Sequence, residues 1–177
     1  MERETPMAVL DIKRYPERVL REKALPVDDI GPSTQRIIDD MIETMYSAEG
    51  VGLAANQVGI LKRIIVVDVS ARGDRAPLIV LINPELIHTE GESVSEEGCL
   101  SLPGYRTAVK RAEKVKVRGL DRYGKEIEIE GNGLLSRALQ HEIDHLNGML
   151  IIDRIGRLKK ELFRKRYLKG IRDGKRE

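Results

Sequence analysis

From Ser33 onward apolar residues recur every three or four positions, so that Ile37, Ile38, Met41, Ile42 and Met45 share one face. This spacing predicts an amphipathic helix, with Ser33 or Thr34 as its cap, running into the segment GVGLAANQ. The period then changes. Arg63 to Ser70 and Leu78 to Ile82 are rich in Ile, Val and Leu, and Pro84 separates the latter from Leu86 to His88; all three runs read as strands. Glu113 to Arg118 and Glu126 to Glu130 alternate charge with Val or Ile around the turn residues Asp121 and Gly124, which predicts a hairpin with one wet face. Asn132 can cap a second helix from Gly133, with Leu134, Leu135, Ala138, Leu139 and Leu146 as its stripe and Asn147-Gly148 as its stop. A last helix, roughly Leu158 to Ile171, sets Leu158, Leu162 and Leu168 among basic residues. The order helix, strands, helix, helix predicts an α+β fold rather than alternating βαβ units. No repeat or linker divides the chain, so residues 1–177 read as one domain.

Composition narrows the class. With 177 residues, 41% of them hydrophobic and 34% charged, the chain can bury a core and is neither a disordered nor a membrane protein. No run approaches the ~18 apolar residues that span a bilayer. The opening MERETPMAVL has neither a signal-peptide core nor an acid-free transit composition, which predicts a soluble cytoplasmic protein. The lone cysteine, Cys99, allows no intrachain disulfide. Net charge is +2, but Arg154, Arg157, Lys159, Lys160, Arg164, Lys165, Arg166 and Lys169 crowd the C-terminal end. Such a run is either a solvated helix face or a docking surface.

Chemistry concentrates in His141-Glu142-Ile143-Asp144-His145. Residues four apart share a helix face, so both imidazoles can reach one metal ion while Glu142 stands beside its water. The chain has only three histidines, which makes a chance pairing around a glutamate improbable. The third ligand decides the class. A metzincin needs a histidine where Ile151 stands, and a thermolysin-like site would have to use Glu161 or the terminal Glu177. His88 closes an apolar run and reads as an edge or core histidine. Cys99, in EEGCLSLPG, is better placed because glycine and proline can hold a loop facing the helix.

Three segments together, GVGLAANQ (50–57), EGCLS (97–101) and QHEIDHL with Gly148, resemble the three motifs of peptide deformylases, in that family's order. Weaker similarity runs from about Met7 to Leu158 and includes Arg106 to Val117. GVGLAA also fits the dinucleotide fingerprint G-x-G-x-x-A on paper, but it follows a helical pattern and no βαβ unit surrounds it.

The resemblance, to the bacterial iron-dependent type, implies antiparallel β-sheets packed around a central metal-binding helix, with a C-terminal helix. Residues 7–158 would form the catalytic core and 158–177 a basic helix and tail, with the six residues before Met7 an extension. Cys99, His141 and His145 would hold one divalent ion, ferrous iron, Fe(2+), being favoured over zinc, nickel or cobalt. The ion's open position would carry water whose pKa falls to about 7. Glu142 would act as base and then acid, and the Gln57 amide with the Leu100 N–H would receive the oxyanion. Val51, Gly52 and Gly98 would meet the substrate backbone. Leu134 and Ala138 would line the methionine pocket, with Arg137 covering it by its methylene stem while its charge stays wet. The substrates implied are N-formylmethionyl peptides of nascent chains, and the basic C-terminal helix is placed to meet the ribosome. Rival readings are a metallopeptidase with another third ligand, a ribosome-associated binding protein with an inactive site, and a relative acting on other formyl amides.

Overall fold

The computed structural model describes residues 7–73 and 75–174 of the chain, and among them three α-helices and seven strands build the fold. The segment before Met7 and the last residues, Lys175 to Glu177, lie outside them. Helix α1 spans Pro32–Ser47 and buries Ile38, Met41 and Met45. Its cap is Gly31, not Ser33 or Thr34. Pro32 takes the first turn, where its missing N–H costs nothing, and the Thr34 hydroxyl donates instead to the Asp29 carbonyl at 2.7 Å.

Strands β1 (Gly52–Ala54), β2 (Ile64–Val67), β3 (Ile79–Glu90), β6 (Lys114–Leu120) and β7 (Glu126–Asn132) form an antiparallel sheet in the order β1-β2-β3-β6-β7. The two runs expected on either side of Pro84 are one strand, β3. The register shifts between Ile82 and Glu85, so the residue that cannot donate sits in an irregularity, next to Asn83 at φ 52°. The β6–β7 hairpin forms as the alternation predicted, with Val115 and Val117 turned inward. A second, two-stranded sheet pairs β4 (Ser93–Gly98) with β5 (Arg106–Arg111) in antiparallel register and carries the segment leading into Cys99.

Helix α2, Gly133–Leu146, lies across the larger sheet. Leu135, Ala138, Leu139, Ile143 and Leu146 pack against Ile65, Val67, Leu81 and Val117. Leu134, expected on this stripe, is 38% exposed. Asn132 stands at the cap position without a side-chain cap bond, and Gly148 closes the end at φ +74°. A Cβ on Gly148 would sit 2.5 Å from the Arg21 carbonyl oxygen, so only glycine fits there. The α+β class is what the order of elements predicted, and antiparallel sheets around a central helix are what the family resemblance implied.

Helix α3, Arg157–Arg172, departs from its predicted stripe. Leu158 and Leu162 are exposed, and the buried face is made by Phe163 and Tyr167. Among the described residues no helix is long and apolar enough to cross a membrane.

Candidate active site

Two of the three candidate ligands come from α2 and one from the turn after β4. The helical period brings His141 Nε2 within 3.1 Å of His145 Nε2, and Cys99 Sγ lies 3.4 Å from His145 Nε2. Among the described residues these three form a set whose ligand atoms all lie within 4.8 Å of one another. His88 is outside it, on the exposed end of β3, 4.0 Å from Glu90. Two imidazole nitrogens and a thiol, buried or nearly so, fit a divalent transition ion.

Surrounding groups tune this cluster. Glu97 accepts from His141 Nδ1 at 3.0 Å, which leaves Nε2 free to face the centre. Burial opposes charge on His141, but its bonds to Cys99 and Glu97 and the nearby Glu142 raise its proton affinity well above the usual value. Burial, and then the charge of His141, hold His145 well below it. His145 is thus kept neutral, as a ligand must be, while His141 has to release its Nε2 proton when an ion binds.

Glu97 itself is held by more than His141. Arg111 binds it with two bonds, Nε to Oε2 at 3.0 Å and Nη2 to Oε1 at 2.9 Å, and Arg137 Nη1 donates to Oε2 at 2.5 Å. Burial would raise this carboxyl, but the His141 and Arg111 hydrogen bonds and charges outweigh it and hold Glu97 far below the carboxylate range. Arg111 also donates to Asp144 at 2.6 Å, and Asp144 accepts two further bonds from Arg154. None of this network was expected from sequence. Arg137, expected to keep its charge in water, instead buries its guanidinium on Glu97, the Val109 carbonyl and Ser93. The competing consideration is pairing: a buried carboxylate provides a better partner than solvent reached past a packed wall.

Glu142 projects beside the cluster with Oε2 buried and without a partner among the described residues. Burial pushes its carboxyl up to about 7, against the downward pull of His141 and Arg111. The chain passes close by: a Cβ on Gly52 would stand 2.6 Å from Glu142 Oε1. The Gln57 amide is oriented by its own surroundings. Its Oε1 accepts from the Ala54 N–H at 3.0 Å, and its Nε2 donates to Ser101 Oγ at 3.1 Å and lies 3.7 Å from Cys99 Sγ.

A cleft of about 560 Å³ opens on this group. Val51, Gly52, Gln57, Gly98, Cys99 and Leu100 line it together with Leu134, Ala138, His141 and Glu142, so all the sequence-predicted site residues except His145 reach its wall. His145 lies behind them, 1% exposed. Tyr105 and Arg106, which sequence reasoning did not single out, also line it.

The family profile described as "Polypeptide deformylase" matches residues 9–161. The chain belongs to the polypeptide deformylase family. The deformylase is 63% identical over 161 residues to a peptide deformylase of Thermodesulfovibrio yellowstonii, covering 91% of this chain and 98% of that one. It is 57% identical over 156 residues to one from Halothermothrix orenii, covering 88% and 99%. The crystal structure of a peptide deformylase from Legionella pneumophila superposes with a TM-score of 0.87 at 47% identity, covering 96% of this chain and 99% of that one. A peptide deformylase from Synechococcus elongatus in complex with actinonin gives 0.82 at 44%, covering 89% and 87%. The enzyme is a metal-dependent hydrolase that removes the N-formyl group from the initiator methionine of nascent polypeptides. The metallopeptidase and inactive binding-protein readings are not favoured.

Proposed function

We propose that Cys99, His141 and His145 hold one divalent ion, and that Glu142, Gln57 and the Leu100 backbone carry the deformylation around it. What supports this is one juxtaposition: three ligand atoms within 4.8 Å of one another, next to a buried carboxyl oxygen that has no partner of its own. When bound, the ion supplies a nucleophilic water near neutral pH and polarises the formyl oxygen. Glu142 takes a proton from the water as it attacks the formyl carbon. It returns the proton to the amine nitrogen as the carbon–nitrogen bond breaks, giving formate and a free methionine terminus. Gln57 Nε2 and the Leu100 N–H face the oxygen on which negative charge develops.

Substrate is held by main chain. β1 is the edge strand of its sheet, so Val51 and Gly52 can pair with an extended peptide while Gly98 borders the same cleft. The methionine side chain rests on Leu134 and Ala138, which accounts for a leucine left 38% exposed on a core helix. The test is Gln57→Leu. Removing one such donor should lower kcat on the order of a hundredfold, while metal content stays at the parent level; a kcat equal to the parent's would reject the assignment.

Ferrous iron is the ion we propose. Anaerobically prepared enzyme should then lose activity in air, and full activity of an aerobically purified zinc form would count against it. We further propose that residues 7–158 act as the catalytic core of a single cytoplasmic domain, and that α3 meets the ribosome. The exposed residues Lys159, Arg164, Lys165, Arg166 and Lys169 give α3 a basic outer face suited to salt-sensitive phosphate contacts. Arg164→Glu/Lys165→Glu should abolish co-sedimentation with ribosomes at low salt without changing activity on short peptides; unchanged co-sedimentation would remove the idea.

A further inference from the structure

The three ligand atoms come from two bodies that no shared sheet joins. His141 and His145 stand on α2, which packs on the larger sheet, while Cys99 follows β4 at the tip of the two-stranded ribbon. Among the described residues β4 and β5 form a ladder only with each other, and they continue from β3 and into β6 through two short links, residues 91–92 and 112–113. Apolar packing separates the bodies too. Val109 and Cys99 pack with Leu102, Leu150 and Ile152, in a cluster to which no residue of α2 belongs. Ser136 and Gln140 of α2 hold the root of the ribbon through bonds to Ala112 at 2.9, 3.0 and 3.1 Å. Cys99 stands at the other end of β4, about 20 Å further on at the rise of an extended strand.

Beyond that root, every hydrogen bond among the described residues that joins α2 to β4 or β5 runs through Glu97, Arg111 or Arg137. Arg137 has the widest reach. Its Nη1 donates to Glu97 Oε2 at 2.5 Å and to the Val109 carbonyl at 2.8 Å, and its Nη2 donates to the Ser93 carbonyl at 3.1 Å and to Ser93 Oγ at 3.0 Å. One planar group from α2 therefore fastens β4 at two positions and β5 at one. Neutralising Glu97 does not require it, since Arg111 already binds that carboxylate with two bonds and is itself paired with Asp144. A hydrocarbon side chain would cover the cleft wall as the arginine stem does, without the cost of burying a charge. What the rigid fork of a guanidinium adds is attachment at three points, which the single ammonium of a lysine cannot span.

We propose that Arg137 is a positioning residue of the metal centre: by fastening both strands of the ribbon to α2, it sets the separation between the Cys99 sulfur and the two imidazoles. This inference rests on the reading of Cys99 as a metal ligand. The Leu100 N–H, assigned to the oxyanion, follows Cys99 in the chain and is displaced with it. Without the fork the ribbon keeps its root at Ala112 and its Glu97–Arg111 pair, so what is lost is the placement of its tip. A misplacement of about 1 Å is enough to slow a reaction on the order of a hundredfold, and loss of support around a ligand typically costs about 10- to 100-fold in metal affinity or activity.

The test uses full-length enzyme loaded with Co(II), comparing wild type, Arg137→Met, Arg137→Lys and Ile38→Ala, each at a temperature where circular dichroism shows it folded. Methionine leaves an unbranched stem on the cleft wall and removes the fork, whereas lysine keeps a charge that reaches one partner at a time. Ile38, buried on α1 in a different apolar cluster, controls for lost stability alone. The wild type should show a thiolate-to-cobalt charge-transfer band; its absence would defeat the ligand assignment, and the positioning role with it. With the band present, Arg137→Met should shift it, weaken Co(II) binding and lower kcat, binding and turnover each by about tenfold or more. Its KM for formyl-Met-Ala-Ser should stay near the parent value, because the wall that meets the substrate is kept. Arg137→Lys should fall between Arg137→Met and wild type, and Ile38→Ala should match wild type. An Arg137→Met spectrum, Co(II) affinity and kcat matching those of Ile38→Ala would overturn the proposal. An Arg137→Lys enzyme equal to wild type in all three would also overturn it, since charge without the fork would then suffice. Should Arg137→Met not fold, the comparison of Arg137→Lys with Ile38→Ala decides it.

Discussion

Glu142→Gln should fold, bind its ion and release formate on the order of a thousandfold more slowly than the parent enzyme. The substitution keeps the shape of a side chain packed at 4% exposure beside Gly52, so the cleft wall is not disturbed. What it removes is the ability to accept a proton and hand it on. The parent carboxyl suits both acts: burial brings it to about 7, where the ionised and protonated forms are close in free energy. An amide offers neither form. Formate release measured beside metal content separates the effects, since loss of rate with the ion retained places the defect in proton transfer. A variant with parental turnover would assign the base elsewhere.

Glu97→Gln should be the most destabilising single change near the site, by about 3–5 kcal/mol. The carboxylate receives bonds from Arg111, Arg137 and His141, and the two arginine side chains are 3% and 8% exposed. A neutral amide leaves Arg137 buried without its counter-charge and Arg111 with Asp144 alone, and it cannot accept at every contact. The sign of the pH dependence follows from the depressed carboxyl. Its contribution is in place above the pKa of the unfolded chain, near 4.5, and is lost as pH falls through the lower folded value. Denaturant unfolding should therefore show a large gap between wild type and variant at pH 7 that narrows in acid. A constant gap would mean that Glu97 acts through packing alone. Because Glu97 also orients His141, the variant should bind metal about 10- to 100-fold more weakly.

The two halves of the site differed in how legible they were. His141, Glu142 and His145 announced themselves because helical spacing alone puts them together, and the stripe of Leu135, Ala138 and Leu139 fixed which way the helix faces. Gln57 lies in a segment whose meaning came from the family resemblance, and Cys99 was reached only by weighing rival third ligands and its glycine- and proline-bounded loop, since no local period relates a turn residue to a helix more than 40 positions away. The Glu97 network was hidden because charged residues in a charge-rich chain read as surface. A signal was there: Arg111 is in phase with Thr107 and Val109 on β5, the three inward positions of that strand, and an arginine at an inward position calls for a buried acid. The same oversight hid β4 and β5 as strands. On α3, leucines at helical spacing suggested the buried face, but the larger rings of Phe163 and Tyr167 fill the space beside Tyr15 and leave Leu158 and Leu162 outside.

The most direct test of the central claim, that Cys99 joins His141 and His145 to hold the working ion, is metal content and formate release from formyl-Met-Ala-Ser for wild type and Cys99→Ala, both loaded anaerobically with ferrous iron. The account predicts one ion per chain and formate from the wild type, and a folded variant with neither. A Cys99→Ala protein that keeps its ion and its activity would contradict it.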